Sequence, residues 1–279
     1  MSNDTTAKTD STTKKSGAGE TLEVIKTVVY ALLIALVIRT LLFQPYTIPS
    51  ASEEPNLFQG DYIIVTKWTY GYSKHSMVWS PPLFNGRLFF NPPKRGDVIV
   101  FKLPSSGHID YIKRLIGLPG DRVQMRGGQL YINGKPVAEQ QIGTAQTTDA
   151  GEVAVVRETN PEGRSYLTQV INKAGPANDT DVYRIPPHCY FMMGDNRDNS
   201  EDSRFAANMF PDDPKLRGCG SGTTNFLPTS DGMGVGFVPE EDLVGKAQIV
   251  MLSWKEGASI LKPWTWLNLR LDRFLRPIR

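Results

Sequence analysis

Ile48-Pro-Ser-Ala-Ser-Glu-Glu-Pro-Asn-Leu-Phe-Gln-Gly-Asp61 is the stretch around which this chain is organised. Pro49 and Pro55 bracket two serines, Ser50 and Ser52, with Ala51 between them. Proline fixes its own φ and pushes the preceding residue towards extended geometry. The stretch therefore reads as a stiff, irregular segment that presents hydroxyls, neither a helix nor a packed strand. Taken alone, it reads equally well as a polar linker.

Immediately before it lies the one strongly apolar run. Thr27 to Ile38 carries no charge, Lys26 and Arg39 bound it, and Leu41, Leu42 and Phe43 extend it. A bilayer-crossing helix needs roughly 20 mostly apolar residues. Val24 to Phe43 reaches that length if Lys26 and Arg39 extend their heads to the interface. A removed secretory signal is the competing reading. The run continues into Gln44-Pro45-Tyr46 without a small-x-small cleavage site, which favours an uncleaved anchor at 24–43. Residues 1–23 read by composition as a disordered tail. Its Lys8, Lys14 and Lys15 place that tail on the cytoplasmic side, so that the remainder lies outside.

Downstream the chain is rich in strands. Asp61-Tyr-Ile-Ile-Val-Thr-Lys-Trp, Arg95-Gly-Asp-Val-Ile-Val-Phe-Lys, Tyr111-Ile-Lys-Arg-Leu-Ile-Gly and Cys189-Tyr-Phe-Met-Met are short β-branched and aromatic runs separated by Pro and Gly. Asn133-Gly134 marks a tight hairpin turn. Little helical periodicity follows residue 44, so a mostly β fold is expected. Residues 44–137 and 188–256 form the expected β core. Residues 138–187 read as an inserted β subdomain, and Phe205 to Met233 as a long loop of the kind that is functional or mobile. The tail 257–279 mixes Trp, Phe and Leu with Lys262, Arg270, Arg273, Arg276 and Arg279. That suits either a surface lying on anionic lipid or an amphipathic helix packed on the domain.

The charge balance, 31 Lys and Arg against 29 Asp and Glu, offers nucleic acid no basic face. Three histidines and two cysteines, with no Cys-x-x-Cys or His-Glu-x-x-His spacing, make a metal site unexpected. No cofactor is expected. Cys189 and Cys219 either pair or remain free thiols; spacing does not decide it.

A serine hydroxyl is a weak nucleophile and needs a base. His75, His108 and His188 stand in loop-like contexts with no Ser-His-Asp motif, and read as surface or structural. Lys113 is the other candidate. A free lysine, with a pKa near ~10.4, is charged at neutral pH, and only burial in an apolar site makes it a base. Strand alternation sets Lys113 opposite Ile112 and Arg114, so tertiary packing has to bury it.

Four motifs follow one another after the anchor: Ser50 to Asp61, Arg95-Gly-Asp-Val98, Lys-Arg-x-x-Gly-x-Pro-Gly-Asp at Lys113 to Asp121, and Gly-Asp-Asn-Arg-Asp-Asn-Ser-x-Asp-Ser-Arg at Gly194 to Arg204. Together they resemble bacterial type I signal peptidase, a membrane-bound Ser/Lys protease, over Val24 to Trp254. The resemblance implies coiled antiparallel sheets, no cofactor, the lipid bilayer as a partner, and preproteins with small residues before the cut as substrates. It implies a single-pass protein of the bacterial cytoplasmic membrane with its catalytic domain outside. Carried over, Ser52 is the nucleophile and Lys113 the general base. Ser50 and the Ser52 N–H form the oxyanion hole, and Ser200 orients the lysine. Arg197, Asp202 and Arg204 give structural support, while Ile48, Pro49, Glu53, Leu57, Tyr111 and Ile112 line the substrate pocket.

Three positions depart from the pattern: Glu53 for Met, Ala51 for Gly and Asn56 for Thr. A carboxylate at 53 repels an apolar substrate side chain and, near Lys113, favours the ammonium. The alternative reading is therefore a relative that binds signal peptides with impaired activity or altered specificity.

Overall fold

The structure is a computed structural model that describes residues 17–77, 79–147, 151–207, 219, 225–229, 234–255, 258 and 261–279. Most of the expected tail 1–23, and most of the loop Phe205 to Met233, lie outside the described residues.

Two units separate at Arg39. The first contains α1 (Gly17–Val37), whose Ala, Leu, Val and Ile content includes no proline. The helical path continues with a wider turn through Ile38–Leu42. Thr21–Leu42 has a mean hydropathy of 2.2 and buries none of its apolar window. A helix that is apolar and exposed all round is long enough, at about 33 Å, to cross a bilayer. It begins some residues before the expected 24–43.

The second unit is built of antiparallel strands. In chain order these are β1 (Phe43–Thr47), β2 (Asp61–Thr66), β3 (Val98–Lys102), β4 (Asp110–Gly117), β5 (Arg122–Arg126), β6 (Gln129–Ile132), β7 (Lys135–Pro136), β8 (Ala138–Thr147), β9 (Gly151–Thr159), β10 (Ser165–Val170), β11 (Tyr183–Arg184), β12 (Cys189–Met193), β13 (Val238–Pro239), β14 (Leu243–Ser253) and β15 (Arg276–Pro277). Among the described residues the largest sheet has the order β1-β2-β14-β3-β4-β12-β13, with β15 on β14. Register breaks within β14 and between Phe191 and Met192 let it curl. A four-stranded sheet, β11-β5-β6-β7, and a three-stranded sheet, β10-β9-β8, complete the unit. The β6–β7 turn has φ +53° at Asn133 and +78° at Gly134, as the sequence signal requires.

The expected insert, 138–187, divides between these two smaller sheets. Residues of β8 to β10 form their own sheet, whereas β11 pairs with β5 of the expected core. The insert also packs on the serine loop and on the turn after β12: Asn56 donates to the Leu167 carbonyl at 2.7 Å, and Gln169 N–H to the Asp195 carbonyl at 2.8 Å. Among its described residues the C-terminal tail forms no α-helix. It consists of single 3-10 turns and β15, because Pro263 and Pro277 interrupt it and Arg270 and Arg273 are drawn onto the domain. Trp264, Leu267 and Leu271 of this tail stay exposed.

Cys189 and Cys219 form a disulfide, with 5.8 Å between their Cα atoms. Cys189 lies in a core cluster with Ile116, Tyr183 and Phe191. A second cluster joins Ile48 and Leu57 to Ile63, Val65, Val98 and Val250. Ile48 and Leu57 thus fasten the serine loop to the sheet on both sides of Ser52.

Candidate active site

The loop between β1 and β2 closes on itself. Ile48 N–H donates to the Asp61 carbonyl at 2.9 Å, and Gly60 N–H returns a bond to the Ile48 carbonyl at 3.0 Å. Inside that clamp, Glu54 N–H reaches the Ala51 carbonyl at 3.1 Å and Leu57 N–H the Glu53 carbonyl at 2.9 Å. The proline-bracketed segment is therefore a series of tight turns braced in part by its own backbone. Gly60 has φ +89°, and a Cβ there would stand 2.3 Å from the Trp254 carbonyl oxygen. Only glycine fits that position.

Lys113, on β4, donates to Ser52 Oγ at 2.6 Å. Its neighbour across the sheet is Ile99 of β3. Lys113 is 4% exposed and Ser52 8%. Burial pushes the lysine amine below its ordinary pKa, while Glu53, Asp202 and Asp195 push the other way. The net direction is down, which is what a lysine base requires. Ser50 Oγ stands 3.3 Å from Ser52 Oγ. The Ser52 N–H makes no hydrogen bond among the described residues, and its carbonyl accepts from Asn196 N–H at 3.1 Å.

The turn after β12 supports this pair from behind. Asp195 takes both arms of Arg114, each at 2.6 Å, and also accepts from Asn56 at 2.8 Å. The Arg114 guanidinium lies 4.4 Å from the Tyr166 ring centroid. Alternation on β4 sends Lys113 to the serine face and Arg114 to this buried ion pair on the other. The motif Gly194 to Arg204 contained Asp195, yet the sequence did not single it out. The signal was an arginine inside an apolar strand, which burial obliges to find a carboxylate.

Arg204 and Asp202 pair at 2.9 Å, both fully buried. Arg197 pairs instead with Glu158 of β9, at 2.5 Å. All three supporting residues thus sit in buried ion pairs, but in two separate ones.

The expected hydrogen bond from Ser200 to Lys113 is not made. Ser200 Oγ is buried without a partner among the described residues. It is turned over Gly194, where an added Cβ would come within 2.2 Å of it.

Four of the six expected pocket residues line grooves at the site. Ile48, Pro49, Tyr111 and Ile112 border a cavity of about 300 Å³. Pro49, Tyr111 and Ile112 also border its neighbour of about 360 Å³, which reaches Ser50, Ser52 and Lys113. Glu53 and Leu57 line neither. The turns after Ser52 send both side chains inward, Leu57 into the core and Glu53 to 3.9 Å from Lys113 Nζ.

None of the histidines bonds to Ser52. His75 is buried between Ser80 Oγ at 3.0 Å and Asp242 at 3.3 Å, His188 meets Glu240 at 3.0 Å, and His108 is exposed. His75, Glu241 and Asp242 bring possible metal-ligand atoms within 4.8 Å of one another. The Lys74 ammonium already occupies Glu241 at 2.8 Å, and both ring nitrogens of His75 have partners.

The family model for signal peptidase, peptidase S26, matches residues 21–254. The signal peptidase I of Rickettsia akari (strain Hartford) is 35% identical over 269 residues, covering 88% of this chain and 89% of that protein. The signal peptidase I of Rickettsia typhi (strain Wilmington) is 35% identical over 298 residues, covering 99% of this chain and 97% of that protein. A solved signal peptidase I from Enterococcus faecalis V583 is 23% identical, with a TM-score of 0.29, and covers 56% of this chain and 97% of its own. The match over residues 21–254 and the 35% identity across nearly the whole length place this chain in the signal peptidase family, peptidase S26.

Proposed function

We propose that the chain removes signal peptides from exported preproteins by a Ser52/Lys113 dyad. The observation that carries this is the 2.6 Å hydrogen bond between two buried groups, one an amine and the other a hydroxyl. In the proposed reaction Ser52 Oγ forms a bond to the scissile carbonyl carbon while its proton moves to Lys113 Nζ. The oxyanion is met by the Ser52 N–H and the Ser50 hydroxyl. Lys113 then gives its proton to the leaving nitrogen as the C–N bond breaks. Water attacks the resulting ester with Lys113 again as base, which restores Ser52.

The grooves beside Ser52 fit small, apolar residues before the cut, since Ile48, Pro49, Tyr111 and Ile112 form their walls. Anchoring through Thr21–Leu42 is supported by the hydropathy of that helix, and the orientation, tail inside and catalytic unit outside the cytoplasmic membrane, by Lys8, Lys14 and Lys15 in the tail. The exposed Trp264, Leu267 and Leu271, set among basic residues, fit a surface that meets lipid.

The test is cleavage of a preprotein bearing an Ala-x-Ala site. Ser52→Ala and Lys113→Ala should each abolish it in a folded chain, and retained cleavage by either variant ends this mechanism. A second reading, an impaired relative that binds signal peptides, is favoured by the Glu53 carboxyl beside the amine. Cleavage by Glu53→Met but not by the native chain would establish it.

A further inference from the structure

Glu53 is 1% exposed, and neither of its carboxyl oxygens has a hydrogen-bond partner among the described residues. A buried carboxyl in that state is costly, so its surroundings decide its charge. Oε1 lies 3.9 Å from Lys113 Nζ. An ammonium has three N–H donors, and one N–H of Lys113 goes to Ser52. Ser200, the expected orienting group, makes no bond to it.

The groups that face Glu53 come from two elements. Lys113 and Arg114 belong to β4; Asp195 and Asp202 belong to the turn after β12, where Arg204 neutralises Asp202. Burial first, then Asp195 and Asp202, hold the Glu53 carboxyl well above the ordinary carboxylate range, while Lys113 and Arg114 pull it down. Arg114 and Asp195 are already paired with each other at 2.6 Å. Lys113 is therefore the group whose protonation ionises Glu53: at 3.9 Å, a proton on the amine favours the carboxylate, and the carboxylate favours the proton.

We propose that Glu53 is a positioning residue for Lys113, and that its carboxylate raises the proton affinity of the amine and sets an alkaline working range for the protease. The proposal rests on the Ser52/Lys113 reading. Its chemistry parallels that of the acidic member of a Ser-His-Asp triad, which stabilises the cation formed when the serine loses its proton and is not itself protonated. Below the pKa of the amine the base is blocked by its own proton, and Glu53 raises that pKa. The acid limb of activity is thereby moved upward, while the ammonium formed in the reaction gains a counter-charge.

The test compares pH profiles of kcat/KM for the full chain in detergent micelles, native against Glu53→Gln, on an Ala-x-Ala preprotein. An opposite charge at this separation is worth about one to three pH units, so the acid limb of Glu53→Gln should move to lower pH by roughly that amount. An unmoved limb overturns the proposal. Should Glu53→Gln fail to fold, Glu53→Met removes the same charge and carries the same expectation. A second measurement needs no turnover: the Lys113 amine is titrated by NMR in Ser52→Ala, with and without Glu53→Gln. The same downward movement is expected, and an unchanged titration overturns the proposal. Retained cleavage by Lys113→Ala would instead remove the dyad, and the NMR titration would still decide whether Glu53 governs the amine.

Discussion

Arg273 binds both carboxylate oxygens of Asp61, at 2.5 and 3.1 Å, and donates to the Asn56 carbonyl at 2.8 Å. The C-terminal segment is thereby tied to the loop that carries Ser52. Both side chains are almost fully buried. Removing one partner of such a pair strands a charge and costs about 3–5 kcal/mol. Arg273→Ala should lower the melting temperature and the cleavage rate together. Pairing it with Asp61→Asn, which removes the stranded charge, should recover part of the stability. Urea melts of the two variants would check this.

Ser50 reaches to 3.3 Å from Ser52 Oγ and is proposed as an oxyanion donor. Ser50→Ala should reduce kcat by about 10²–10³ with little change in KM, the usual cost of one such donor. Ser50→Thr should restore most of it. A loss confined to KM would assign Ser50 to substrate binding alone.

At Gly194 an added Cβ would fall 2.6 Å from the Ser52 carbonyl oxygen and 2.5 Å from Ser200 Cβ. Backbone at the nucleophile cannot yield without moving the hydroxyl. Gly194→Ala should cost about 1–3 kcal/mol from overpacking, and on the order of 10²-fold in kcat from displaced Ser52. Circular dichroism beside a cleavage assay separates the two effects.

The disulfide joins cysteines 30 residues apart. Constraint of the unfolded chain by a loop of that size contributes about 3–4 kcal/mol. Dithiothreitol, or the double change Cys189→Ala with Cys219→Ala, should lower the melting temperature by roughly 10 °C. Equal melting with and without reductant would contradict it.

Burial alone would raise the Asp202 carboxyl pKa, but the Arg204 guanidinium and the backbone N–H groups of Gly194 and Arg204 hold it below the ordinary value. A depressed carboxylate stabilises the fold above its unfolded pKa, near ~3.9, and loses that contribution as pH falls through the folded value. Asp202→Asn should therefore be markedly less stable than the native chain at pH 7, with the gap narrowing below about pH 4. Urea unfolding at the two pH values measures it.

Ser52 and Lys113 could be named from motifs, because those residue types recur in fixed order around them. The strand carrying Lys113 and the strand that follows the serine loop were legible from β-branched runs. Asp61, at the end of the quoted stretch, was visible as a residue, but not as the partner of Arg273, 212 positions later. The same holds for Arg197, in the turn after β12, whose carboxylate, Glu158, comes from β9. Ion pairs between distant segments have no local periodicity to betray them.

Local chemistry determined a great deal by itself: an apolar helix, a succession of short strands, a rigid serine loop, and a lysine placed opposite an arginine on one strand. Those features follow from side-chain shape, proline and glycine geometry, and alternation, all of which act within a few residues. The tertiary structure alone decided that Lys113 is buried, that Glu53 turns inward to it, that Ser200 does not bond to it, and that the cysteines are joined. Each of these depends on desolvation and on charges brought together from far apart in the chain, and neither exists until the sheets have closed.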